Sequence, residues 1–147
     1  MKTIHLAFAL LLAVLACPHP VTAAAGGASV RAILITATNQ KQEADPKLAA
    51  FEAELQRNLP LSSFRYVAEG SSAITAGGHA AITLGRGHRL DLEGDKGGGG
   101  IRVKVQWFNG KSVVMNTTLT LQPGVPAVLG RRPSGDGDTP IIILIAR

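Results

Sequence analysis

The chain holds a single cysteine, Cys17, in 147 residues. One thiol cannot build a disulfide framework, and processing beyond residue 17 would leave no thiol nucleophile. Aromatic residues are also few: after residue 25 there are only Phe51, Phe64, Tyr66, Trp107 and Phe108. A sugar cleft with opposed carboxylates, drawn from Glu69, Asp91 or Glu93, therefore finds little support. Histidine is scarce as well. His79, His88 and Asp91 are the one conceivable metal set, but a zinc-type site needs three or four ligands in fixed geometry, usually with a close pair on one element. His79 and His88 each lie beside glycines and are expected to be exposed turn residues. None of the serines (Ser62, Ser63, Ser71, Ser72, Ser112, Ser134) stands in G-x-S-x-G. "GRGHRL" and "KGGGG" match neither phosphate-cradling glycine pattern and read as turns. No segment repeats with a period of 20 to 50 residues, which argues against a solenoid. No metal and no cofactor is expected.

What is present begins at the N-terminus. "MKT" supplies Lys2, and an apolar run from Ile4 to Ala16 follows, then "CPHPVTAAAGG". A basic start, a short apolar stretch and small residues at a cleavage site make a secretory signal peptide over residues 1–25. The run is shorter than the ~20 apolar residues that span a membrane. Two processing routes fit. Signal peptidase would cut after Ala23, Ala24 or Ala25; alternatively "VLAC" serves as a lipobox, with Cys17 the candidate lipidated residue. The first route gives a periplasmic or extracellular protein, the second an outer-membrane-tethered one. Residues 26–147 then form one domain, long enough for a core of its own.

Lysine and arginine outnumber aspartate and glutamate by 15 to 10. A mildly basic surface favours anionic partners, yet the basic residues are scattered and no run resembles a nucleic-acid arm. Arg102 and Lys104, at i and i+2 on a strand, share a face. With Arg86 and Arg89 they form a candidate anion-binding set.

Along the chain, "SVRAILITATN" is apolar on both alternations, as in a strand covered on both faces. Asp45 is a good N-cap and Pro46 suits a first helical position. Leu48, Phe51, Leu55 and Leu59 recur at helical spacing, and Pro60 closes the helix. Past Leu61 the period changes to that of strands: "SFRYVAEG", then two or three short ones, in the last of which Leu90 and Leu92 alternate with Arg89, Asp91 and Glu93. "KGGGG" reads as a flexible hairpin loop. "IRVKVQWF" alternates cleanly, and Asn109-Gly110 predicts a two-residue type I′ turn before a return strand. "QPGVPAVLG" adds a Pro-Gly turn and a short strand. In "SGDGDTP", Asp136 and Asp138 match the first two ligands of a calcium loop, but Pro140 occupies the third, so a turn is expected. The final "IIILIA" is apolar on both alternations, like "RAILITA", and both are expected centrally in a sheet, side by side. The expected fold is α+β: an N-terminal strand and one amphipathic helix, followed by six or seven mostly antiparallel strands forming a sheet or small sandwich.

The C-terminal pieces "NTTLTLQPGVPAVLG" and "TPIIILIAR" resemble the strand–turn–strand pattern near the C-terminus of secretins, the outer-membrane channels of bacterial secretion and pilus systems. The chain is far shorter than a secretin. As a whole it resembles small exported bacterial β-rich proteins of unknown function. That resemblance implies an envelope location and a non-enzymatic role, and it transfers no catalytic residue. The expectation is thus an exported, non-catalytic envelope protein acting by protein–protein contact, as an accessory of a secretion or pilus system. An envelope hydrolase with an unassigned polar cleft and a binding module for anionic polymers are the alternatives.

Overall fold

The computed structural model describes residues 27–95, 101–132 and 137–147. The expected signal peptide with Cys17, the "KGGGG" stretch expected as a hairpin loop and most of "SGDG" lie outside them. Eight strands are present: β1 (Ala28–Thr38), β2 (Ser63–Ile74), β3 (His79–Gly85), β4 (His88–Gly94), β5 (Ile101–Asn109), β6 (Ser112–Leu121), β7 (Ala127–Gly130) and β8 (Thr139–Ala146). They form two four-stranded sheets, one in the order β2-β1-β8-β7 and the other β3-β4-β5-β6. Every neighbouring pair is antiparallel.

The sheets pack face to face. Val30, Ala32 and Leu34 of β1 and Ile142, Leu144 and Ala146 of β8 meet Leu90, Leu92, Val103, Val105 and Trp107 from the second sheet, all buried. The other face of the first sheet is covered too. Ile33, Ile35, Ala37, Ile141, Ile143 and Ile145 pack against Leu48, Leu55 and Leu61 from the β1–β2 connection. This explains why β1 and β8 are apolar on both alternations: they are the two central strands of a middle layer, and they pair with each other along Val30–Ala37. A one-residue slip would exchange the two cores, so the register is strongly specified.

The α+β expectation is overturned. The domain is largely all-β, and its described α-helix, α1, is only Glu52–Asn58. The apolar spacing from Leu48 to Leu59 does mark the side facing the sheet, but the backbone splits into a 3-10 turn at Pro46–Leu48 and a seven-residue helix. So short a helix has little stability by itself; it is held by packing, with Leu48 and Leu55 buried beneath it. Leu59 is extended (φ −126°, ψ 130°), as the following Pro60 demands. The region read as several short strands after Ser63 begins instead with one twelve-residue strand, β2.

Two turns also differ from expectation. Asn109 pairs with Ser112, so the β5–β6 loop consists of Gly110 and Lys111. Gly110 has φ +60°, and Arg86 is the only described non-glycine residue with positive φ. Positive φ at the first loop position alone is the type II′ pattern, in place of type I′. A bulge at Trp107/Phe108 opposite Val113–Met115 accompanies the shift. The type I′ pattern occurs in the β3–β4 turn, where Arg86 (φ 49°) and Gly87 (φ 79°) lie between paired Gly85 and His88.

The free edge of the second sheet as candidate functional site

Each sheet has two edges, and most of them are covered or blunted. At one side of the sandwich β2 turns directly into β3. Gly70 comes so close to β3 that a Cβ on it would lie 2.7 Å from Ile82 Cγ2. The turn is tied down by Gly77 N–H donating to Gly94 O and Gly94 N–H donating to Gly78 O, at 2.8 and 2.9 Å. At the other side, β7 has four residues and follows Pro126 directly. Short edges and proline are established ways of discouraging strand addition.

Strand β6 is different. It runs ten residues, pairs with β5 on one side, and has no strand on the other among the described residues. "SVVMNTTLTL" contains no charged residue and no proline. Its β-branched residues suit an extended backbone, and its one blunting device is the bulge beside Val113 and Val114. Asn116, Thr118 and Thr120 are exposed on the outer face. On the inner side Val114, Met115 and Leu119 are only half-buried against the core, as are Ala127 and Leu129 of β7. Val113 and Val125 are the most exposed large apolar side chains among the described residues, at 58% and 52%. The sandwich therefore closes at β2–β3 and opens at β6–β7, where unpaired backbone groups lie beside half-covered apolar side chains.

The candidate anion-binding residues lie elsewhere. Arg89, Arg102 and Lys104 share the outer face of the second sheet, and Arg86 sits in the turn at its end. They do not gather into a basic surface. Arg89 pairs with Asp91 at 3.0 Å and lies over the Phe108 ring at 4.8 Å. Arg102 pairs with Asp95 at 3.5 Å, and Lys104 stands opposite Glu93 in the ladder. A shallow depression lined by Gly77, Glu93, Gly94, Asp95, Arg102, Lys104 and Thr118 thus carries both signs of charge. Cys17 is outside the described residues.

Nor do the other chemical candidates converge. His79 and Asp91 face outward, whereas His88 shares the inner face with Leu90 and Leu92 and is buried, contrary to the expected exposed turn position. Its Nδ1 accepts a hydrogen bond from Trp107 Nε1 at 3.0 Å, which requires the neutral Nε2–H tautomer. Burial, and then the positive charge of Arg86, hold His88 below its ordinary value of 6.5. No group of three or more metal-ligating side chains occurs among the described residues. Glu69 is opposite Ile33 on the outer face of the first sheet and pairs with Arg31. Asp91 and Glu93 occupy the far face of the sandwich, so these carboxylates share no cleft.

One acidic residue has a clear structural role. Asp45 accepts from Lys47 N–H at the start of the 3-10 turn and from Tyr66 N–H, both at 3.0 Å. Tyr66 adjoins the irregularity in the β1–β2 ladder, which skips Val67. These two N–H groups, Tyr66 first, lower the Asp45 pKa below 3.8. The Lys47 ammonium lies 4.4 Å over the Tyr66 ring and reinforces the same junction.

Sequence reading treated β6 only as the return strand of a hairpin. The available signal was its ten uncharged residues, and what it lacked was strand order. Among the described residues no helix is long and apolar enough to cross a membrane. Comparison with known proteins finds no matching family model, no matching curated protein and no matching solved structure.

Proposed function

We propose that the protein is an exported, non-catalytic component of a bacterial envelope that acts by protein–protein contact, taking an extended protein segment onto the free side of β6. The observation that supports this reading is the β6 edge, blunted only by its bulge at Val114: ten residues without charge or proline beside half-buried Met115 and Leu119. In strand addition the main chain supplies hydrogen bonds, and alternate side chains supply specificity. Here the inner-facing side chains of the added strand would cover the open end of the core. Export rests on the basic-then-apolar N-terminus, and the role as an accessory of a secretion or pilus system rests on the C-terminal strand pattern.

In-cell photo-crosslinking tests the reading. A photoreactive residue at Thr118, on β6, is compared with one at Thr83, on the covered β3. Protein adducts from position 118 and none from 83 are the expected result. Absence of adducts at 118, or equal labelling at both positions, would remove the support.

A further inference from the structure

We infer that one occupant of the β6 edge is a second copy of this chain, joined by antiparallel β6–β6 pairing about a two-fold axis at Thr117. This rests on the reading of β6 as the docking edge, and it adds the identity of the partner.

Three features favour a self-pair. The first is the side-chain pattern around Thr117. Pairing Thr117 with itself places Asn116 opposite Thr118 and Met115 opposite Leu119 of the second copy. Met115 and Leu119 pack toward the inter-sheet core, and Asn116 and Thr118 are exposed outside. The pairing therefore continues each face with residues of its own kind, in both directions. Such self-complementarity is what an isologous two-fold contact requires. The next step outward, Val114 opposite Thr120, reaches the bulge, which sets the limit of the regular overlap.

The second feature is charge. The domain is net basic, so most surfaces would repel a second copy. The β6 strip carries no charge. Lys111 precedes the strand at Ser112, and Arg131 and Arg132 share a depression with Val114 at the bulged end, outside the regular overlap. Lys104 opposite Thr118 and Arg102 opposite Thr120 lie one strand away beside Glu93 and Asp95. Like charges facing each other across paired strands are destabilising, and this contact has none. The third feature is the unfinished core. Met115 and Leu119 are half-covered, and the two-fold places each against the other's counterpart. The result is one eight-stranded sheet with β6 and its copy at the centre.

Cysteine cross-linking tests the register. With Cys17, the only native cysteine, replaced by serine, Thr117→Cys is predicted to form a covalent dimer under mild oxidation at micromolar concentration. Directly opposed residues have Cα atoms about 4.5–5.5 Å apart, within the range a disulfide spans. Asn116→Cys and Thr118→Cys should link to each other when mixed. Ser112→Cys should remain monomeric, because its counterpart would lie about 33 Å away along the strand at ~3.3 Å per residue. Circular dichroism of each variant verifies folding, and the exposed Asn116 and Thr118 sites report even if Thr117→Cys fails to fold. A monomeric Thr117→Cys together with an unlinked 116/118 mixture, or equal linking of Ser112→Cys, would overturn the self-pair. Photo-adducts from Thr118 to other proteins only would overturn the self-pair while leaving β6 as a docking edge. No adduct of any kind would overturn both.

Discussion

Ile142 and Ile143 are adjacent in β8 and both fully buried, yet they belong to different cores. Ile142 points into the space between the sheets, and Ile143 toward Leu48 and Leu55. If β8 were an ordinary strand with one wet face, one of the two could be cut back nearly without cost. In the three-layer arrangement each truncation to alanine opens a cavity, and each should cost about 2–5 kcal/mol. A domain of this size has roughly 5–15 kcal/mol in total, so either variant loses a large share of it. With a urea dependence of about 1–3 kcal/mol per molar, midpoints should fall by roughly 1–2 M for both variants. Urea titration followed by circular dichroism reads this directly. The layering would be refuted if Ile142→Ala or Ile143→Ala shifted the midpoint by less than ~0.2 M, equivalent to under about 0.5 kcal/mol.

The same reasoning extends to other sites. Truncation after Asp138 removes the strand between β1 and β7, including the large buried side chains of Ile141–Ile145; at about 1.5–3 kcal/mol each the loss is on the order of 10 kcal/mol, and the truncated chain should show no cooperative thermal transition. His88 is held below its ordinary value of 6.5, so the unfolded chain takes up its proton first as pH falls. Its contribution to stability is therefore complete above about pH 6.5 and declines as pH drops from there toward the folded-state pKa; His88→Gln should flatten that part of a stability–pH profile, and an unchanged slope would contradict the assignment. For Asp45 the folded pKa is lowered, so its contribution is present above 3.8 and is lost as pH falls through the folded value. Asp45→Ala should remove that acid-side dependence and speed exchange of the Tyr66 amide, measured by NMR.

How much of this was legible in the sequence differs from element to element. β1 and β8 could be read as central and adjacent because "RAILITA" and "IIILIA" are apolar on both alternations, which only a doubly covered strand tolerates. They are antiparallel neighbours. The helix was over-read: Leu48, Phe51, Leu55 and Leu59 record which side meets the sheet, but that spacing does not separate a continuous helix from a 3-10 turn followed by seven α residues. The Asn109-Gly110 pair signalled a hairpin, and its turn lies one residue further on, accompanied by a bulge at Val114. His88 shares the alternation of Leu90 and Leu92, so its burial was readable from the period; the adjoining glycine suggested a turn instead. The candidate edge was not legible. Strand order depends on pairings remote in sequence, and nothing within "SVVMNTTLTL" records that β5 covers one side and no described strand the other.

The central claim is that β6 offers a free hydrogen-bonding side, and amide hydrogen exchange of the dilute protein tests it most directly. Alternate amides of β6, those directed away from β5, should exchange rapidly while β1 and β8 remain protected, and those β6 amides should become protected as concentration rises. Uniform slow exchange along β6 in the dilute monomer would show that its edge is already covered, and would contradict the account.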